Sequence, residues 1–371
     1  MIQIDGSMGE GGGQVLRTAL SLSIITGQPA GIKHIRQGRS KPGLMAQHLK
    51  AVEAAAKISR ANVEGAVLGS TQLRFEPGEI RSGRYRFAIG TAGSTLLVLQ
   101  TIFAPLSLAS SASSIILYGG THVPWSPSFH YADLMWLPTL RRMGFDAQIK
   151  LDLAGFYPPG GGRISATIRP AAELRPLALT QRGAGLRLGG ISAVANLPMS
   201  IAERQKRQTI LRLEAVRTTL SLPPARVHTL QMPAKVKGTF LLLLAEFEKS
   251  ACCYTSLGEL HKPAERVADE AVDALLEFVA SGGAIDQYLA DQILLPLSLV
   301  RGESRFRTCQ VTSHLTTNAE VLRAFLPVEI DIQGEEGSPG LVRIRAYGIP
   351  GRQQGDHPAS PNPHPADERP A

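Results

Sequence analysis

The sequence predicts an α/β fold of repeated units whose sheets are covered by helices. Two observations carry this. Three segments share one order of events: a small-residue loop opens an apolar helix, a strand follows, and a second helix comes after a polar turn. A separate block, from about Gly183 to Ala280, has its own strand–helix pattern and stands between the second segment and the third. It reads as an inserted domain, after which the third unit returns to complete the first body of structure.

The first helices are expected over Gln14 to Ile25, Ser94 to Leu108 and about Asp286 to Val300. Their apolar residues recur at helical spacing, as in Leu16, Leu20 and Ile24. Gly27 suits the end of the first helix, because glycine accepts the left-handed conformation found there. The second helices are expected to begin near Gly43, Pro127 and His314, with Met45, Leu49, Val52 and Ala56 as the apolar stripe of the first of them. Strands of β-branched or alternating character fall at Ile2 to Asp5, Gln72 to Phe75, Ser114 to Tyr118, Gly162 to Ile168 and Val342 to Ala346. In the intervening block, LGGISAVANLP and GTFLLLLAEFE read as strands, the second of them buried. Ile201 to Leu220 and Pro263 to Val279 read as helices. The resulting division is 1–182 for units one and two, 183–280 for the insertion and 281–347 for unit three, followed by a disordered Pro-rich tail over 348–371.

The chain has 371 residues, 43% of them hydrophobic, enough for a large core and about two domains. A net charge of +8 fits a polyanionic partner such as nucleic acid or nucleotide without requiring one. Cys252, Cys253 and Cys309 form no CxxC pair for zinc and read as buried free thiols in a reducing compartment. The start, MIQIDGSMGEGGGQ, has neither a basic n-region nor an apolar h-region, so no signal peptide is expected. No run of ~18 apolar residues offers a membrane span. The expected location is the cytoplasm.

Five motifs carry chemistry. Gly9-Glu10-Gly11-Gly12-Gly13-Gln14, ahead of Val15-Leu16-Arg17, is a glycine-rich strand-to-helix turn that lets backbone approach a phosphate at a helix N-terminus. It is neither a Walker A loop nor a GxGxxG fingerprint, and a turn without ligand reads the same. Glu10 within it makes sense beside phosphates if it holds a divalent cation. Arg36-Gln37-Gly38-Arg39-Ser40-Lys41-Pro42-Gly43, running into Gln47-His48, either clamps phosphates or is a solvated basic loop. His48 taken alone reads as a structural histidine.

Gly119-Gly120-Thr121-His122-Val123-Pro124-Trp125-Ser126-Pro127 is a rigid turn whose proline or aromatic faces suit a base, or simply an ordered loop. In Tyr288-Leu289-Ala290-Asp291-Gln292, helical spacing puts Tyr288, Asp291 and Gln292 on one face, for adenine stacking or for packing. Thr312-Ser313-His314-Leu315-Thr316-Thr317-Asn318 places a histidine among hydroxyls at a helix start. That setting suits an anion and a nucleophilic imidazole, or an exposed polar turn.

Taken together, EGGGQVLR, GRSKPGL with QH following, RFAIGTAGS, GFYPPGGG, YLADQ and the SHLTTN segment resemble the RNA 3′-terminal phosphate cyclases. The likeness runs from Met1 to about Ala346 and is weakest in the middle block. It implies a large domain of three repeated βαβαββ-type units, similar to those of EPSP synthase, with a smaller α/β domain inserted. It also implies an ATP-dependent enzyme that converts an RNA 3′-phosphate to a 2′,3′-cyclic phosphate through a histidine–AMP intermediate. His314 matches the nucleophile. Pro127 and Tyr288 match the residues that sandwich adenine, and Gln100, Leu289, Ala290, Asp291 and Gln292 match the rest of the ATP site. Arg17, Arg39, Gln47 and His48 match phosphate- or RNA-contacting positions, and Glu10 matches a residue near Mg²⁺ or Mn²⁺.

The implied partners are RNA 3′-phosphate ends and ATP, with no obligate protein partner, although a homodimer is compatible. The turn GGTHVPWSP departs from the family pattern. The alternative is a non-catalytic relative that binds RNA or assists ribosome assembly. The presence of His314, Tyr288, Asp291 and Glu10 argues for the enzyme. A basic RNA-binding module whose glycine loops are only turns is the reading from another class.

Overall fold

The computed structural model describes residues 1–348. The expected Pro-rich tail therefore lies, but for Gly348, outside the described residues.

The first unit consists of β1 (Ile2–Asp5), α1 (Gly13–Thr26), β2 (Ala30–Lys33), α2 (Ala46–Ser59), β3 (Asn62–Glu64) and β4 (Leu73–Glu76). Its sheet has the order β1-β2-β4-β3. β1 and β2 are parallel and need a crossover, which α1 supplies, whereas β4 runs antiparallel to both β2 and β3. The second unit repeats this with β5 (Arg84–Ala88), α3 (Thr95–Ser107), β6 (Ser113–Gly119), β7 (Asp146–Leu153) and β8 (Gly162–Arg169), in the order β5-β6-β8-β7. Its second helix is broken into α4 (Phe129–Tyr131), a π-helical turn (Ala132–Trp136) and α5 (Leu137–Arg142).

The third sheet takes its first strand, β9 (Ala178–Leu179), from residues that precede the middle block. That block comprises β10 (Gly185–Ala195), α6 (Met199–Arg217), β11 (Ala225–Gln231), β12 (Gly238–Phe247), β13 (Ala251–Leu257) and α7 (Ala264–Ser281). It forms its own sheet, in the order β11-β10-β12-β13. The chain then continues through α8 (Gln287–Ser298), β14 (Gly302–Thr308), α9 (Ser313–Phe325), β15 (Val328–Gln333) and β16 (Gly340–Ala346). The third order, β9-β14-β16-β15, is that of the first two, again with a parallel first pair. The architecture is thus three βαβαββ units plus one separate α/β sheet.

Local sequence accounts for the elements that were expected. α1 ends at Gly27, whose φ is +68°. α3, α8 and α9 begin at Ser94, Asp286 and Thr312, each accepting a hydrogen bond from an amide of its own first turn. On β8, Gly162, Ile164, Ala166 and Ile168 point inward in strict alternation. The expected stripe on α2 is displaced. Met45 is exposed and Leu49 and Ala56 are half-buried, while His48, Ala51, Val52, Ala55 and Ile58 form the buried face. α2 lies against α1 and α3, and the small Ala51 and Ala55 permit that close approach. The strands β2, β3, β5, β7, β9, β11, β13, β14 and β15, most of them short or carrying polar side chains, are not among those the sequence pattern predicts. All three cysteines are free and buried.

β12 shows why GTFLLLLAEFE is apolar throughout. Leu241, Leu243 and Ala245 belong to the core under α6 and α7. Phe240 and Leu242 face the other way and join the core of the three units. At that junction the His122 ring stacks on Phe240 (4.6 Å between centroids) and on Phe156 (5.4 Å). His122 Nε2 lies 2.8 Å from His130 Nδ1, and Thr121 Oγ1 lies 2.8 Å from His122 Nδ1. One proton between each pair of atoms satisfies this chain, so both rings are neutral. Burial, with repulsion from His130, drives His122 well below the usual histidine range. Burial lowers His130 to about 4.

Because the unfolded chain binds protons near pH 6.5 and the folded one only near 4, stability contributed by His130 is lost as pH falls through that window. The loss from His130 is about 3 kcal/mol. We expect the melting temperature of the wild-type protein to fall more steeply between pH 6.5 and pH 4 than that of a His130→Gln variant. Parallel slopes for the two proteins would exclude this histidine as the source.

Candidate functional site

Two loops far from His314 in sequence build its surroundings. The turn after β1 contains Gly9, with φ +56°. A Cβ on Gly9 would overlap Thr317 Oγ1 on α9, so only glycine lets the turn close onto that helix. Gly11, also left-handed, lies against the backbone of Gly38, which brings the glycine turn and the basic loop together. Glu10 consequently sits with Oε1 3.4 Å from His314 Nδ1 and is ion-paired through Oε2 with Arg39. The contact between Oε1 and Nδ1 lacks hydrogen-bond geometry, and both atoms are buried without a hydrogen-bond partner.

His314 lies in the first turn of α9. Thr312 caps that turn by accepting from the Leu315 amide (3.0 Å) and donates to Asp291 Oδ1 (2.6 Å). The His314 side chain is 42% exposed although Nδ1 is buried, so Nε2 is the nitrogen a reactant can reach. Burial holds its pKa below 6.5; Glu10 opposes this, and Arg17 and Arg39 reinforce it. The imidazole is therefore neutral and unprotonated at one nitrogen at pH 7, the state a nucleophile requires.

His314 lines a cavity of about 490 Å³, a size typical of small-ligand sites. Gln100, Pro127, Tyr288, Asp291, Gln292 and Arg17, all singled out from sequence, line the same cavity. Tyr288 is 50% exposed, its ring braced edge-on by Tyr131 and Tyr254 at 6.4 and 6.2 Å. Gln100 Nε2 donates to Gln292 Oε1 (2.6 Å), and Gln292 Nε2 donates to the Tyr288 carbonyl (2.8 Å). Burial pushes the Asp291 carboxyl up to about 8; the Thr312 hydroxyl opposes this, and Asp286 and Glu10 add to it. Asp291 is thus protonated at neutral pH unless a cation arrives. Arg17 is lowered to about 10 by burial, with Glu10 opposing, and keeps its charge.

Other expected residues fall elsewhere. Leu289 and Ala290 are fully buried and absent from the cavity wall; they pack the helix that presents Tyr288, Asp291 and Gln292. Gln47 accepts from the Ser94 amide (2.6 Å), so it ties α2 to the start of α3. His48 Nδ1 accepts from the Met45 amide (3.4 Å), which leaves the proton on Nε2, and Nε2 lies beside Gly13 at the start of α1. Burial, with Arg17, Arg36 and Arg39, lowers His48 to about 3. The first turn of α1 has no side-chain cap, so its amides remain available to an anion. Arg36 is turned inward and donates to the carbonyls of Lys41 (2.7 Å) and Gly43 (2.9 Å).

Sequence reasoning did not assign several residues of the site. Asn318 accepts from Thr18 (2.7 Å) and donates to the Asp291 carbonyl (3.2 Å). Buried Asp286 accepts from the Tyr131 hydroxyl (2.7 Å) and caps α8. Cys253, Thr255 and Leu257 of β13 also line the cavity. Asn318 lay inside a motif already noted, and Asp286 carried a helix-cap signal. The β13 residues gave none, because only folding brings that sheet to the cavity.

The family model described as RNA 3′-terminal phosphate cyclase matches residues 8–332. The chain is 46% identical over 345 residues to the RNA 3′-terminal phosphate cyclase of Ralstonia nicotianae, covering 93% of this chain and 96% of that protein. It is 44% identical over 337 residues to the protein of the same name from Koribacter versatilis, covering 91% and 93% of the two chains. With the Salmonella enteritidis protein of that name the identity is 42% over 345 residues, covering 93% and 98%. The chain belongs to the RNA 3′-terminal phosphate cyclase family.

Proposed function

We propose that this chain converts an RNA 3′-terminal phosphate into a 2′,3′-cyclic phosphate at the expense of ATP, with His314 as the nucleophile. One observation carries the reading. His314 is a neutral histidine with Nδ1 closed in against Glu10 and its other edge open to a cavity shared with Tyr288, Pro127 and Gln100. A hydrophobic and aromatic wall beside a phosphorus-directed nucleophile suits a purine nucleotide.

In the first step, Nε2 of His314 attacks the α-phosphorus of ATP, forming a P–N bond as the bond to pyrophosphate breaks. An oxygen of the RNA 3′-phosphate then displaces the histidine, and AMP passes to the RNA. The neighbouring 2′-hydroxyl, losing its proton, attacks the activated phosphorus and expels AMP. Holding hydroxyl and phosphorus in one nucleotide makes this closure effectively intramolecular. Throughout, anions are driven together. Arg17, Arg39, the Nε2–H of His48 and the free amides of α1 are the fixed positive groups that would offset their repulsion.

A divalent cation fits beside Glu10, whose Oε1 is buried and unpartnered. Among the described residues no cluster of three or more His, Cys, Asp or Glu forms a complete metal cage, so phosphate oxygens and water would supply the remaining ligands. A bound Mg²⁺ or Mn²⁺ would neutralise charge on the reacting phosphates. We assign Gln100, Pro127, Tyr288, Asp291 and Gln292 to the nucleotide, with Leu289 and Ala290 as the packing beneath them. The segment 183–280 is assigned as an inserted domain. Among the described residues no helix is long and apolar enough to cross a membrane, and a cytoplasmic location is part of the same proposal.

Incubated with α-labelled ATP and a divalent metal, the wild-type protein should retain acid-labile label and His314→Ala should not. Equal labelling would remove His314 as the nucleophile. Because the imidazole titrates below 6.5, the labelling rate should stay level above neutral pH and decline only as the medium becomes more acidic than 6.5. A decline beginning above pH 7 would contradict the neutral histidine.

Gly9→Ala should slow labelling roughly a hundredfold, the scale expected of a ~1 Å displacement of catalytic groups. Adding Thr317→Ala should restore part of the rate. A Gly9→Ala enzyme that labels at the wild-type rate would show that the turn's contact with α9 does not set the site.

A further inference from the structure

The proposed reaction leaves the exposed indole of Trp125 without a role. Trp125 is 97% exposed, whereas Trp136, the other tryptophan of the chain, is 2% exposed. An aromatic ring of this size normally contributes its surface to a core or an interface. Its backbone is also unusual, since φ is +55°, a left-handed conformation that bulky L-residues rarely adopt. The surrounding loop is firmly held. The amides of Thr121 and His122 both donate to the Gly155 carbonyl (2.9 and 3.0 Å), Val123 is buried, and Ser126 Oγ donates to the Val123 carbonyl (3.1 Å). Strained conformers maintained by rigid surroundings concentrate at ligand clamps.

The place of the ring narrows its ligand. Trp125 lines the same cavity as His314 and Tyr288 and stands two residues before Pro127. If Pro127 and Tyr288 hold the adenine of ATP, Trp125 stands at the solvent-facing edge of that cavity. A second substrate that enters past this edge meets the indole before its terminal phosphate reaches His314. An RNA end presents a flat base at that point, and stacking on indole is strong and tolerant of base identity.

We infer that Trp125 is a stacking platform for a base at the 3′ end of the RNA substrate. The inference rests on the function proposed above and adds a residue that sets affinity for the RNA.

Two experiments test it. In the first, oligoribonucleotides ending in 3′-phosphate, with the terminal base present or abasic, are titrated without ATP while tryptophan fluorescence is followed. Trp136 lines the same cavity, so the Trp125→Ala variant gives the share of the quench that comes from Trp136. The intact end should quench emission, the abasic end should quench less, and Trp125→Ala should lose the quench.

In the second, steady-state cyclisation should show the KM for RNA raised about tenfold in Trp125→Ala, within the range for loss of one stacked base. Trp125→Phe should recover most of it, and the KM for ATP should move far less. Three results would overturn the proposal: an unchanged KM for RNA in Trp125→Ala, a shift confined to the KM for ATP, or quenching that follows protein concentration rather than RNA. Absence of label in the wild-type enzyme would sink the parent reading separately, because the fluorescence titration needs no ATP.

Discussion

The closure of the first strand-to-helix turn onto α9 is the contact on which the site depends. Gly9 lies against Thr317, and α1 is tied to the same helix by the bond from Thr18 to Asn318, across a separation of 300 residues. Two relations at His314 follow from it. Glu10 meets the imidazole because the turn reaches that close, and Arg39 arrives because Gly11 and Gly38 let the basic loop lie on the turn. A side chain at Gly9 would push apart the first and last units of the chain where Glu10 meets His314.

Charge and burial are balanced within this contact. Arg17, Arg36 and Arg39 surround a single carboxylate and two histidines, His48 and His314, that are partly or largely removed from water. Under such conditions the cheaper state for each imidazole is the neutral one. The site therefore concentrates fixed positive charge while keeping its histidine neutral. Asp291 follows the complementary logic: a buried carboxyl near other carboxylates stays protonated until a cation or a further hydrogen-bond donor comes into reach. The fourth sheet takes part as well. It packs on the main body through Phe240 and the histidine pair, and through β13 it closes one side of the cavity.

Much of this was legible in the chain. The apolar helices of the three units, the strand β1, the buried strand β12 and the left-handed end of α1 at Gly27 follow from local periodicity and turn chemistry, which act within a few residues. The motifs around Glu10, Arg39, Tyr288 and His314 announced polar chemistry for the same reason. The stripe on α2 was misjudged because its buried face is chosen by α1 and α3, not by the most apolar side chains. Short strands such as β9 were invisible, since two residues carry no pattern and their pairing with β14 is decided across the whole middle block.

The sequence by itself determined the class of the fold, its repetition and the residue types able to handle phosphates, because propensity, periodicity and side-chain chemistry are local properties. Only the tertiary structure decided which of those residues meet. It turned Arg36 toward carbonyls of its own loop and put Leu289 and Ala290 in the core, and it set His314 Nδ1 against Glu10. It also brought residues of β13 to the cavity and left Trp125 standing in solvent beside it. Those outcomes depend on packing between elements tens to hundreds of residues apart, which no stretch of sequence encodes alone.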